Sequence, residues 1–168
     1  MNTKYDFNSD TEIQRKLLKF EKTLPLSIIF SGSDKIAKKQ AADFLASKTG
    51  KEILRIDISK IISKYIGETE KNLREIFDAA EQGGSVLLFD EADTLFGKRT
   101  NVKDSHDRYA NTAISYLFQR LESFKGTIII SLNDDGALKE DVMNKFNSVI
   151  RFPVNNPYTR GRMGDPSA

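Results

Sequence analysis

Asp90 and Glu91 stand side by side after four apolar residues, Val86-Leu-Leu-Phe89. An apolar run of that length, bounded by Gly83-Gly84, reads as a buried strand of a parallel sheet. A buried strand that ends in two carboxylates needs a reason, because an unpaired buried charge is costly. The carboxyl edge of a parallel sheet is also where open α/β folds bind ligands. Nucleotide hydrolysis is the chemistry that uses such a pair. Asp90 would hold Mg²⁺ through water, and Glu91 would orient and deprotonate the attacking water. The plain alternative is a surface turn that happens to be acidic.

A second stretch has the spacing of a phosphate loop, which runs Gly, four residues, Gly, Lys, then Ser or Thr. In Gly32-Ser33-Asp34-Lys35-Ile36-Ala37-Lys38-Lys39, the first Gly and the Lys are in register as Gly32 and Lys38. Ala37 stands at the second Gly, and Lys39 at the hydroxyl that binds Mg²⁺. Asp34 adds a negative charge beside the polyphosphate. Lys38 would neutralise the β- and γ-phosphates while backbone N–H groups of residues 32–39 cradle them. The competing reading is a solvated helix lysine among Lys35, Lys39 and Lys51.

These residues need elements to hold them. Residues 11–22 put Ile13, Leu17 and Phe20 on one helical face, with Pro25 at the exit; residues 1–10 are polar and read as frayed. Leu26–Ser31 is a strand, followed by a polar loop from Gly32 to Ile36. A helix is expected over 37–48, with Ala37, Ala41, Phe44 and Leu45 inward and Gly50 as its stop. Ile53–Ile58 is the second strand. Thr69 can cap a helix whose Leu73, Ile76, Phe77 and Ala80 form an apolar face. After the acidic strand, a loop over 97–105 leads to a long helix over 107–123. Thr127–Leu132 is a β-branched strand, 138–146 a short helix and Val149–Phe152 the last strand. Strand and helix alternate five times, which argues an α/β fold with a parallel sheet and helices on both faces.

Composition narrows the class. The 168 residues suffice for one domain with a core. The 26 basic and 24 acidic residues give a net charge of +2, and the basic residues are scattered, so no nucleic-acid partner is expected. With no cysteine and a single histidine, His106, thiolate and multi-histidine metal sites are excluded. No apolar run approaches the ~18 residues of a membrane helix, so no membrane association and a cytoplasmic location are expected.

From about Ile28 to Pro153 the chain resembles the large nucleotide-binding subdomain of an AAA-type ATPase. Ser63-Lys-Tyr-Ile-Gly-Glu-Thr-Glu-Lys-Asn-Leu-Arg74 resembles the first pore loop and the helix after it. Leu87-Leu-Phe-Asp-Glu-Ala-Asp93 resembles an intact Walker B segment. Phe96-Gly-Lys-Arg-Thr-Asn-Val-Lys-Asp-Ser-His-Asp-Arg-Tyr-Ala-Asn111 is similar to AAA ATPases encoded with phage-tail-like contractile injection systems. Asn133 falls at the sensor 1 position. The resemblance implies a P-loop NTPase-type three-layer αβα fold with a five-stranded parallel sheet in the order 5-1-4-3-2. It implies a core over 24–157, a helical lead-in over 1–23 and an unstructured tail over 158–168.

The resemblance also implies ATP or ADP with Mg²⁺ as ligands, and ATP hydrolysis that drives remodelling of a protein partner by a homo- or hetero-oligomeric ring. Asn133 would help Glu91 orient the water; otherwise it opens an Asx turn into Asp134-Asp-Gly136. Tyr65, Ile66 and Gly67 would form a pore loop that grips an extended polypeptide; otherwise Tyr65 and Ile66 are a surface apolar pair. Arg108 and Asn111 lie in a region that faces a neighbouring subunit in the family. Three features depart from the pattern. The phosphate loop lacks its second glycine and its hydroxyl. Asn144-Lys145-Phe146 replaces the paired arginine fingers. The residues after Pro153 do not resemble the family's lid. Reduced turnover is therefore expected, and an inactive nucleotide-binding or assembly subunit is the alternative. An acidic metal-binding domain unrelated to nucleotides is a third reading.

Overall fold

Whether a strand is apolar throughout or mixed decides where it lies in the sheet. In the computed structural model, β1 (Leu26–Ser31), β3 (Val86–Asp90) and β4 (Thr127–Leu132) are almost wholly buried. The mixed β2 (Ile53–Asp57) and β5 (Ser148–Arg151) are half-buried. The five form one parallel sheet in the order β2-β3-β4-β1-β5. This is the expected order read from the opposite edge, with the most apolar strands central. The structure describes residues 7–61, 67–96, 105–136 and 138–153; for Ser9, residues 105–111 and Ala113 it describes the backbone alone.

Alternation along each strand divides the core into two layers. On one face Ile28, Phe30, Val86, Leu88 and Ile129 pack under α1 (Thr11–Leu18) and α2 (Lys35–Thr49). On the other face Leu87, Phe89, Ile128, Ile130 and Leu132 pack against α3 (Glu68–Gly83), α4 (Asp93–Phe96), α5 (Ser105–Ser123) and α6 (Glu140–Met143). Phe77 anchors this second layer, with its ring 5.7 Å from Phe89 and 5.6 Å from Phe124. The same alternation carries Asp90 and Ser131, next in the even and odd series, onto the α2 face at the carboxyl edge of the sheet.

The elements differ from the expected ones mainly at their ends. Phe7 is buried and meets the Phe44 ring edge-on at 5.7 Å, so the segment from Phe7 is docked rather than frayed. An isolated Phe in a polar run has no period to betray this. α2 starts two residues early, because Asp34 caps it, its carboxylate accepting from the Ala37 N–H at 3.0 Å. Gly50, at φ 66°, closes α2 in the left-handed conformation as expected. α3 is entered through Gly67, so Thr69 is not its cap; it lies inside the first turn and is buried. α6 spans four residues rather than the nine expected.

Candidate nucleotide site

Three carboxyl-edge segments converge: the β1–α2 turn, the end of β3 and the end of β4. The turn is Gly32-Ser33-Asp34, since Lys35 to Lys39 already belong to α2. Gly32 is required for steric reasons. Its φ is 147°, and a Cβ there would lie 3.0 Å from the Phe152 Cβ. Its N–H donates to the Leu132 carbonyl at 3.1 Å, tying the turn to β4.

Lys38 reaches the same carbonyl. Its side chain is buried, and Nζ donates to the Leu132 oxygen at 2.9 Å. Burial pushes its pKa down, opposed in part by the charges of Asp90, Asp93 and Glu91. Ala37 is buried beside it, whereas Ser33, Lys35, Ile36 and Lys39 are exposed and Asp34 is half-buried. Lys35, one helical turn back, crosses to the β3 end and donates to Glu91 Oε1 at 2.8 Å. That hydrogen bond, then the charge of Glu91, raises the Lys35 pKa. Glu91 itself has φ 55°, the one positive φ among described non-glycine residues. Such a conformation costs of order 1–3 kcal/mol and gathers at functional sites.

Asn133 sits directly after β4 and is exposed. Its backbone N–H donates to both Asp93 oxygens at 3.0 Å, and its side-chain amide to Asp93 Oδ2 at 3.2 Å. Asp93 therefore holds Asn133 in place, a role the sequence reading did not assign. Its signal was available: in Asp90-Glu-Ala-Asp93 the fourth residue turns back over the strand ends. The Asx turn does form, but with Asp134, whose carboxylate accepts from the Gly136 N–H at 2.9 Å. Of the pore-loop candidates, Gly67 is the αL residue entering α3, while Tyr65 and Ile66 lie outside the described residues. Arg108 and Asn111 fall within α5, where the backbone alone is described, and Asn144 and Lys145 are exposed at the end of α6.

Between α2 and the sheet is a cavity of about 10 Å³, lined by Lys35, Lys38, Lys39, Arg55, Asp90 and Ser131 with the apolar Phe30 and Leu88. The Ser131 hydroxyl is buried without a hydrogen-bond partner, which costs about 1–3 kcal/mol if nothing fills the space. Mg²⁺ keeps several waters and needs only one or two protein oxygens besides the phosphates. The cavity itself sets one carboxylate, Asp90, and the Ser131 hydroxyl among four cationic side chains, Lys35, Lys38, Lys39 and Arg55, a lining that suits an anion better than an ion of this kind. The arrangement as a whole offers a cation for phosphate in Lys38, a carboxylate at the strand end in Asp90, and in Glu91 a second carboxylate on a strained backbone.

Comparison with known proteins agrees with this geometry. The family model described as "ATPase family associated with various cellular activities (AAA)" matches residues 28–154. An uncharacterized AAA family ATPase of Sinorhizobium fredii is 28% identical over 149 residues, covering 88% of this chain and 43% of the relative. Proteasome-activating nucleotidase 2 of Halobacterium salinarum is 27% identical over 146 residues, 83% of this chain and 36% of the relative. The proteasome-activating nucleotidase of Archaeoglobus fulgidus is 31% identical over 149 residues, again 83% and 36%. The chain thus spans less than half the length of these relatives.

Proposed function

The chain belongs to the AAA family of ATPases, and from that premise we propose that it binds ATP or ADP at the β1–α2 turn and turns ATP over slowly. The observation that carries this is Lys38, buried at the carboxyl edge beside Asp90. In this reading Lys38 leaves the Leu132 carbonyl to neutralise the β- and γ-phosphates. Asp90 would hold Mg²⁺ through water, and the ion would supply charge neutralisation at the phosphates. Glu91 accepts the proton of the attacking water, which Asn133, fixed by Asp93, helps to orient. Titration with a fluorescent ATP analogue tests the assignment. Lys38→Ala should abolish binding; a variant that binds like wild type would show that the phosphate lies elsewhere.

Slow turnover has three supports. Asp34 places the protein's own carboxylate on the α2 N-terminus, where a phosphate would otherwise collect. Lys35 holds Glu91 in an ion pair. Asn144 and Lys145 stand where the family's arginine fingers lie. Such fingers are worth about 10³–10⁵ in kcat in related hydrolases, and lysine lacks the planar fork. We place the chain beside the ATPases of contractile injection systems on Phe96–Asn111, with a ring of like or related subunits and a protein as target. Relatives named for activating the proteasome point to the same class of target by analogy. The Lys35–Glu91 pair also favours a second reading, a subunit that binds nucleotide and assembles without hydrolysis.

A further inference from the structure

Magnesium offsets the charge of a bound polyphosphate, and a phosphate loop holds it with a hydroxyl from the residue after the loop lysine. Here that residue is Lys39, which brings a positive charge where the pattern brings a ligand for one. Other cations stand beside it. Arg55 pairs with Leu88 across β2 and β3, which sets it on the α2 face of the sheet. Lys35, Lys38, Lys39 and Arg55 line one cavity with the single carboxylate of Asp90. Lys35 is committed to Glu91. Lys39 and Arg55 are exposed, and neither joins an ion pair among the described residues. Lys38, Lys39 and Arg55 therefore face one carboxylate with no other anion to answer them in the lining.

We propose that the chain binds its nucleotide as the metal-free polyphosphate, with Lys39 and Arg55 supplying the charge that Mg²⁺ brings to an intact phosphate loop. The inference rests on the nucleotide-binding reading above and concerns affinity alone; the ion which that reading sets at Asp90 belongs to turnover. The cavity has room for only about one water. The polyphosphate therefore lies outside it, along the β1–α2 turn, and the two exposed side chains turn onto it. Lysine offers a point charge, and arginine a planar fork that meets two phosphate oxygens at once. Clustered charges of one sign draw in an anion and repel a divalent cation. A nucleotide that arrives with magnesium has lost part of the charge this lining complements, and no loop hydroxyl holds its ion. Magnesium should leave the affinity unchanged or weaken it.

The affinity of the whole chain for a fluorescent ATP analogue, in EDTA and in excess magnesium, tests this. Wild type should bind at least as tightly in EDTA. Lys39→Thr, which returns a hydroxyl to the loop, and Arg55→Gln should each lose about tenfold in EDTA, the worth of one hydrogen bond between charged groups. Lys39→Thr should also bind more tightly with magnesium than without it. Both side chains are exposed, so neither melting temperature should move. Lys51→Thr makes the same change of charge past the far end of α2 and should bind like wild type. A wild type that binds more tightly with magnesium would overturn the assignment and leave nucleotide binding standing. So would full EDTA affinity in both site variants, or a loss in Lys51→Thr as large as that in Lys39→Thr. Absence of binding in both buffers would overturn the nucleotide reading with it.

Discussion

Lys38 is pulled two ways, and the two can be measured apart. Burial disfavours its charge, while any phosphate it meets requires that charge. Lys38→Met keeps the volume and removes the buried ammonium. It should lose nucleotide binding yet melt no lower than wild type at neutral pH. The sign of the pH dependence follows from the lowered pKa. Between that lowered value and 10.5, the ordinary lysine value, the unfolded chain holds the proton more tightly than the folded one. Stability then rises with pH for wild type and not for the variant at this site. Any thermal advantage of Lys38→Met should shrink as pH climbs toward 10.5, as melting curves across that range would show. An advantage that grows with pH would mean that the ammonium is not desolvated.

Among the elements, α2 and α3 carry separable tasks. Asp34 stabilises α2 as its cap but occupies the place of an anion. Asp34→Ala should cost about 0.5–2 kcal/mol of stability, the usual loss of an N-cap. The same change should tighten ATP-analogue binding by removing a competing carboxylate from the helix start. A variant that is less stable and binds no better would mean that the α2 N-terminus does not meet the phosphates. α3 serves the core. Phe77 is fully buried, flanked by Phe89 and Phe124, with the Arg120 guanidinium 4.9 Å from its ring centre. Phe77→Ala should lower the unfolding free energy by about 3–5 kcal/mol. Urea titration would show this as a shifted midpoint with an unchanged slope.

At the scale of the whole molecule the question is whether the assembled site works. Glu91 is held in a strained conformation and in an ion pair with Lys35. Steady-state phosphate release should be close to background for wild type, at low protein concentration and at concentrations where a ring could form. Glu91→Gln should then change it little. A robust wild-type rate that Glu91→Gln abolishes would instead establish an active motor, with Lys35 releasing Glu91 when nucleotide arrives. Among the described residues no helix is long and apolar enough to cross a membrane.

The sequence by itself determined the layered fold and the family, because both rest on local pattern. Apolar runs fix which strands are central, helical spacing fixes which faces turn inward, and the resemblance of Leu87–Asp93 and Asn133 to the family's motifs needs no fold to be seen. Only the tertiary structure decided what the site residues touch. Lys35 reads in the sequence as part of the phosphate loop, with a solvated lysine as the alternative, and the fold lays it on Glu91, 56 positions away. Asp93 joins Asn133 across 40 positions. Phe7 has no periodic neighbours and is buried by α2. Ser131 looked like one more residue of a β-branched strand until parity and register set it beside Asp90. Periodicity reports which face a residue occupies, but not which distant group occupies the same point on that face, since register between strands is set by packing of the whole sheet.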